Sequence, residues 1–202
     1  MQKAVFTPTD DLSAIADQAV AVLKTPGCVI LVPTETVYGL VCRAADQAGC
    51  EKIFTLKGRA ESKRLGWFLS DKNMALQHGV ILNDLSAALI DKYTPGALTI
   101  IAEKSDGTTQ GFRIPDHPLL LEILHRINEP LVQTSANGSG MPDAVSVPDA
   151  LGQLNGEVDL VIDGGAIPPG SMGSTVVDAT GDSIKILRQG KLEITAFSAN
   201  DL

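Results

Sequence analysis

Long apolar runs are missing from this sequence. No stretch approaches the roughly 18 to 20 residues that a membrane-spanning helix needs. Met1–Asp10 carries no apolar core of the kind a secretory leader shows, so a cytoplasmic protein is expected. Cysteine is scarce. Cys28, Cys42 and Cys50 are odd in number and show no CxxC spacing, which argues against a zinc ribbon or a thioredoxin-type centre. Reduced, structural thiols are the expectation. His78, His117 and His125 have no metal-ligand spacing, and there is no HExxH. The phosphate-binding strings GxxxxGK[ST] and GxGxxG are absent, as is the GxSxG nucleophile elbow. Basic residues are in deficit: 16 against 24 acidic, a formal charge of −8, which excludes a surface built throughout for nucleic acid.

What is present is an ordinary globular composition. At 44% hydrophobic and 20% charged, 202 residues can bury a real core within one domain. Leu12, Ile15, Ala16, Ala19, Val22 and Leu23 share one face of a helix predicted over Asp11–Lys24, which Thr25-Pro26-Gly27 stops. Further helices are predicted over Gln47–Leu56, over Asn83–Tyr93 with Asn83 as cap, after Asp116 as cap, and from Ser146 to about Leu154. Strands are predicted at Cys28–Val32, Leu65–Ser70, Ala97–Ala102, Leu131–Gln133, Val158–Ile162, Ser174–Asp178 and Ile184–Arg188. Helices and strands interleave without a regular βαβ rhythm. The expected fold is one α/β domain over residues 1–202, with a twisted mixed β-sheet flanked by helices.

Charge and glycine are unevenly spread. Lys52, Lys57, Arg59, Lys63 and Arg64 crowd one stretch, whereas no lysine or arginine lies between Arg126 and Lys185. One basic island in an acidic chain suits an anion, and it equally suits a solvated helix end. Thr134-Ser135-Ala136-Asn137-Gly138-Ser139-Gly140 and Gly170–Thr175 offer hydroxyls, an amide and backbone N–H groups, the donors that cradle phosphates, although hydrophilic turns share this composition.

Specific strings then appear in order. Pro33-Thr34-Glu35-Thr36-Val37-Tyr38-Gly39-Leu40 follows an apolar run; Ile53-Phe54 precedes Lys57-Gly58-Arg59; Pro95-Gly96-Ala97-Leu98-Thr99, Arg113-Ile114-Pro115-Asp116-His117-Pro118, Thr134–Gly140, Ser174-Thr175-Val176-Val177-Asp178 and Arg188-Gln189-Gly190 come after. Together these resemble the YrdC/YciO family of threonylcarbamoyl-AMP synthases, in its short single-domain form, over about Pro33–Gly190. The resemblance implies a concave substrate face on the α/β fold. It implies that L-threonine, bicarbonate and ATP give L-threonylcarbamoyl-AMP and pyrophosphate. Magnesium comes with the ATP, and the protein has no metal site of its own. The product would pass to downstream transferases that make N6-threonylcarbamoyladenosine at position 37 of tRNA.

The resemblance also assigns residues. Lys57, Arg59, Ser135 and Asn137 would be catalytic. Thr34, Tyr38 and Arg59 would hold threonine. Lys57, Arg113, Thr134, Ser135, Asn137, Ser174, Thr175 and Arg188 would hold ATP. Such chemistry is mainly positioning and charge stabilisation, which suits a cationic clamp. Direct tRNA binding is expected to be weak or absent. The chain departs from the pattern at Val41-Cys42-Arg43, at Ala60, and at Leu65-Gly66-Trp67-Phe68, beside the expected threonine pocket. Two other readings stand beside this one: an RNA-binding member of the family without the activity, and a carbamoyl-adenylate enzyme with another acceptor.

Overall fold

The computed structural model describes residues 2–5, 11–58, 64–168 and 170–195. Its elements are β1 (Gln2–Val5), α1 (Leu12–Leu23), β2 (Ile30–Val32), β3 (Gly39–Arg43), α2 (Gln47–Lys57), β4 (Gly66–Phe68), α3 (Lys72–Gln77), α4 (Asp84–Tyr93), β5 (Leu98–Glu103), β6 (Thr109–Arg113), α5 (Pro118–Ile127), β7 (Leu131–Ser135), α6 (Val147–Gln153), β8 (Leu160–Asp163), β9 (Thr175–Asp178) and β10 (Lys185–Arg188). All ten strands join one mixed sheet in the order β1-β8-β2-β3-β7-β4-β6-β5-β9-β10.

Helix starts follow the polar residue that satisfies the free N–H groups of a first turn. Asp11 accepts from Ser13 N at 2.9 Å, Asn83 from Ser86 N at 2.8 Å, and Ser146 from Asp149 N at 3.2 Å. Asp46 caps α2 through Gly49 N (3.1 Å), and its other oxygen accepts from Gly27 N (2.8 Å), so one carboxylate joins two turns. The expected cap at Asp116 is one residue early: His117 is the N-cap of α5, it makes no side-chain cap bond, and Pro118 fills the first turn. Four elements escape the sequence reading: β1, β3, β6 and α3. The alternation in β6 is hidden because three of its residues, Thr109, Gln110 and Gly111, are polar or lack a side chain.

Strand alternation divides the core. Ile30, Val32, Leu160 and Ile162 pack with α1 and α5 on one face; Leu31, Val161, Leu40 and Cys42 pack with α2 and α6 on the other. The expected stripe on α5, Leu120, Ile123, Leu124 and Ile127, is buried. Cys42 and Cys50 are free thiols with their sulfurs 3.8 Å apart. Further along the sheet the cover is one-sided. Leu98, Ile100, Ala102, Phe112 and Val177 pack with α3 and α4. Their neighbours Thr99, Ile101, Gly111, Arg113 and Val176 instead line a cavity.

Candidate active site

The cavity is about 360 Å³, and its wall comes from both halves of the chain. Thr34, Thr36, Val37 and Gly39 enter from the turn before β3 and from its first residue. Arg64, Gly66 and Phe68 enter from β4 and the residues before it. Thr134 and Ser135 come from the end of β7, and Ser174 and Arg188 from the C-terminal strands. Strand order explains the meeting: β3 pairs with β7, β7 with β4, β4 with β6, and β5 with β9.

The turn at 34–37 is built by one hydroxyl. Thr34 Oγ1 accepts from Thr36 N (3.0 Å) and Val37 N (3.1 Å) and donates to Val37 O (2.7 Å). The Thr36 hydroxyl lies 2.8 Å from it and accepts from Arg113 Nη1 at 3.0 Å. A chain of hydrogen bonds therefore runs from the guanidinium to a backbone carbonyl and fixes the arginine in the wall. Arg113 is buried and lies over the Phe68 ring, 4.8 Å from its centre. Burial, the larger cause, and the nearby Arg188 charge push its pKa down, against the pull of Glu35.

Opposite it, Arg188 donates to Ser174 O from Nε (3.2 Å) and Nη2 (2.7 Å), and the Ser174 hydroxyl pairs with Thr99 Oγ1 at 2.7 Å. Gly190 is required just beyond. A Cβ there would lie 2.3 Å from Gly173 O and 2.5 Å from Ser174 O, so no side chain fits where this segment crosses the 173–174 backbone. Lys191 then reaches back, its ammonium donating to Glu35 O at 2.6 Å, which ties the C-terminal segment to the turn before β3.

Several expected roles change at this point. Lys57 does not line the cavity. It is buried, and its ammonium donates to the backbone oxygens of Ser135 and Asn137, holding the Thr134–Gly140 loop from behind. Asn137 is also outside the lining; it accepts from Ser135 Oγ and donates to Met141 O, so it shapes the loop from within. Tyr38 is fully buried. It is among the residues lining the cavity, but its hydroxyl is engaged elsewhere: it donates to Gly165 O (2.7 Å) and accepts from Gly164 N (3.0 Å). Its pKa is pushed up to about 12, chiefly by burial. Thr175 is buried with its hydroxyl on Leu192 O, so it braces the last segment and does not line the cavity. Of the residues assigned by the resemblance, Thr34, Tyr38, Arg113, Thr134, Ser135, Ser174 and Arg188 are brought together around the cavity. Arg59 lies outside the described residues.

The sequence reading gave no site role to Thr36, Glu35, Thr99 or Asp143, and named Arg64 only within the basic island. Arg64 donates to Thr109 O and Oγ1, both at 2.8 Å, and Asp143 accepts from Gly173 N at 3.3 Å. Thr36 and Glu35 stand inside the quoted PTETVYGL string, which was the signal available. Thr99 closes the quoted Pro95–Thr99 string, whereas nothing in the local sequence marks Asp143.

The arrangement defines a class before it defines a family. It is an α/β protein whose open sheet face lines a cavity with arginines and hydroxyl side chains. The profile of the Sua5/YciO/YrdC family, described as "Telomere recombination", matches residues 22–190, and the chain belongs to that family. Threonylcarbamoyl-AMP synthase of Mus musculus is 36% identical over 174 residues, covering 79% of this chain and 61% of its own length. P. abyssi Sua5 complexed with L-threonine superposes with a TM-score of 0.84 at 27% identity, over 95% of this chain and 58% of that one. E. coli YciO superposes with a TM-score of 0.83 at 25% identity, over 95% of this chain and 97% of that one. The chain thus spans about three fifths of the mouse relative. Among the described residues, no helix is long and apolar enough to cross a membrane.

Proposed function

We propose that this protein is a nucleotidyltransferase that joins L-threonine, bicarbonate and ATP into L-threonylcarbamoyl-AMP, with release of pyrophosphate. The observation that carries the reading is the cavity on the open sheet face, with Arg64, Arg113, Arg188, Thr134 and Ser135 on its wall, in a fold whose relative is seen with L-threonine. The mouse relative's name supplies the product, an AMP ester of a threonine carbamate. Its atoms dictate the substrates. The threonine amine and bicarbonate form the carbamate and water. A carbamate oxygen then bonds to the α-phosphorus of ATP as the bond to the β-phosphate bridge breaks.

Every reactant except the free amine is anionic, so the protein's task is to bring negative groups together. Arg113 and Arg188 supply the charge, and Ser135, Thr134 and Ser174 supply directional hydrogen bonds. Lys57 and Asn137 keep the loop in shape. Thr34 shapes the turn that presents Arg113, and we place threonine beside this turn. Arg59 remains the proposed carboxylate and phosphate partner from the family resemblance. The magnesium ion in this proposal comes with the ATP and would be held by its phosphates. The product would be handed to downstream transferases acting on tRNA, in a cytoplasmic setting.

The test is incubation of the protein with magnesium–ATP, ¹³C-bicarbonate and each amino acid, read by mass spectrometry for the adenylate and by pyrophosphate release. A labelled threonylcarbamoyl-AMP made with threonine supports the reading. Formation with another acceptor alone replaces the substrate, and no adenylate with any amino acid removes the function.

A further inference from the structure

Arg113 has three neighbours, and they do different work. The Thr36 hydroxyl and the Phe68 ring fix where the guanidinium lies. The third is Glu35, whose Oε2 stands 3.8 Å from Arg113 Nη2, an ion pair without a hydrogen bond. Both carboxylate oxygens of Glu35 are buried with no hydrogen-bond partner, and Arg113 Nε has none either. A buried pair that served only for stability would close to direct, bidentate contact. This one stands off. Lys191, on the Glu35 backbone oxygen, anchors the carboxylate's own main chain. Arg188 adds a second positive charge that works against Arg113.

We propose that Glu35 is an internal counter-ion of Arg113, compensating the arginine while the cavity is empty and competing with a polyphosphate for it when the cavity fills. The inference rests on the reading of this cavity as a polyphosphate site. Its physical basis is a division of labour: geometry comes from Thr36 and Phe68, and charge from Glu35. A buried arginine with no opposite charge is costly, so the empty site needs the carboxylate. An arriving phosphate supplies that opposite charge itself, and then two anions face one guanidinium. The carboxylate therefore limits how tightly the anion is held, and it assists departure of the pyrophosphate product.

The sign of this effect separates it from ordinary positioning, because loss of a positioning group weakens binding. Glu35→Gln keeps shape and removes charge. Calorimetric titration with inorganic tripolyphosphate and with pyrophosphate, without threonine, is expected to show about ten- to a hundredfold tighter binding than wild type, as for removal of a neighbouring charge within about 4–6 Å. Thr36→Val keeps the charge and removes the anchor, and is expected to bind these anions more weakly. Equal or weaker binding by Glu35→Gln overturns the inference. Should that variant fail to fold, Glu35→Asp, which draws the carboxylate back by one methylene, carries the test: tighter binding supports the proposal and unchanged binding overturns it. A wild-type protein that binds neither anion overturns it too. A wild-type protein that binds tripolyphosphate but forms no adenylate refutes the proposed reaction, and the variant-to-wild-type ratio still decides the role of Glu35.

Discussion

Lys57 shows how a residue's type and its duty can part. A lysine in a basic stretch, aligned with the KxR string, reads as a phosphate ligand whose loss should spare the fold. In the structure its ammonium bonds the Ser135 and Asn137 carbonyls, and only 4% of the residue is exposed. Deleting it strands two carbonyls that have been removed from water. Lys57→Ala is therefore expected to lower unfolding free energy by about 2–4 kcal/mol, besides disordering the loop that carries Ser135. Urea denaturation measures this directly, and a midpoint equal to wild type would return Lys57 to the phosphates. Tyr38 teaches the same point. Its hydroxyl looked available from its place in PTETVYGL, yet it closes the 164–165 turn from inside. A string specifies residue identity; which way the side chain faces depends on the strands that later pack around it.

Elements bring their own titration behaviour. His117 caps the start of α5 in a half-buried position beside Arg113 and Asp116, and its pKa is lowered to about 4, with desolvation as the largest cause. Asp116 pulls it up and Arg113 pushes it down, both less strongly than burial. The unfolded chain therefore takes up a proton near pH 6.5 that the folded chain refuses until about pH 4. Stability from the neutral imidazole is complete above pH 6.5 and drains away as pH falls towards 4. Its full size is on the order of 3 kcal/mol. Urea midpoints measured from pH 7 to 4 should fall less steeply in His117→Asn than in wild type. Parallel profiles would show that His117 does not titrate in this window.

The elements themselves were legible in the sequence to different degrees. α1 and α5 could be read because their buried stripes repeat at helical spacing and face the sheet and each other. β3 could not, because its first four residues are buried whichever face they lie on and its first residue continues the turn string. β6 was hidden for the opposite reason, since one of its faces is the cavity floor and carries Thr109, Gly111 and Arg113 in place of apolar residues. Function had written over the pattern that marks a strand.

At the scale of the whole molecule, charge governs which partners the surface admits. The chain carries −8 and has no lysine or arginine between Arg126 and Lys185. Three of its arginines, Arg64, Arg113 and Arg188, are engaged in the cavity wall. We predict tRNA binding no tighter than about micromolar at physiological salt, with an affinity that falls as salt rises. Magnesium–ATP should displace whatever binds. Fluorescence anisotropy of labelled tRNA tests this, and nanomolar binding that ATP leaves untouched would reveal a second basic surface.

Sequence by itself determined the family, most of the alternation of helices and strands, the caps at Asn83 and Ser146, and the strings that converge on the site. These are local properties, set by hydrogen bonding and side-chain spacing over a few residues. Only the tertiary structure decided which polar groups face the ligand. Thr34 and Thr36 became the anchor of Arg113, Lys57 and Tyr38 turned inward, and Glu35 came to stand 3.8 Å from an arginine far along the chain. The reason is physical. Strand order brings β3, β7, β6 and β9 into one sheet, and burial then fixes which side of each strand meets the cavity and which meets the core.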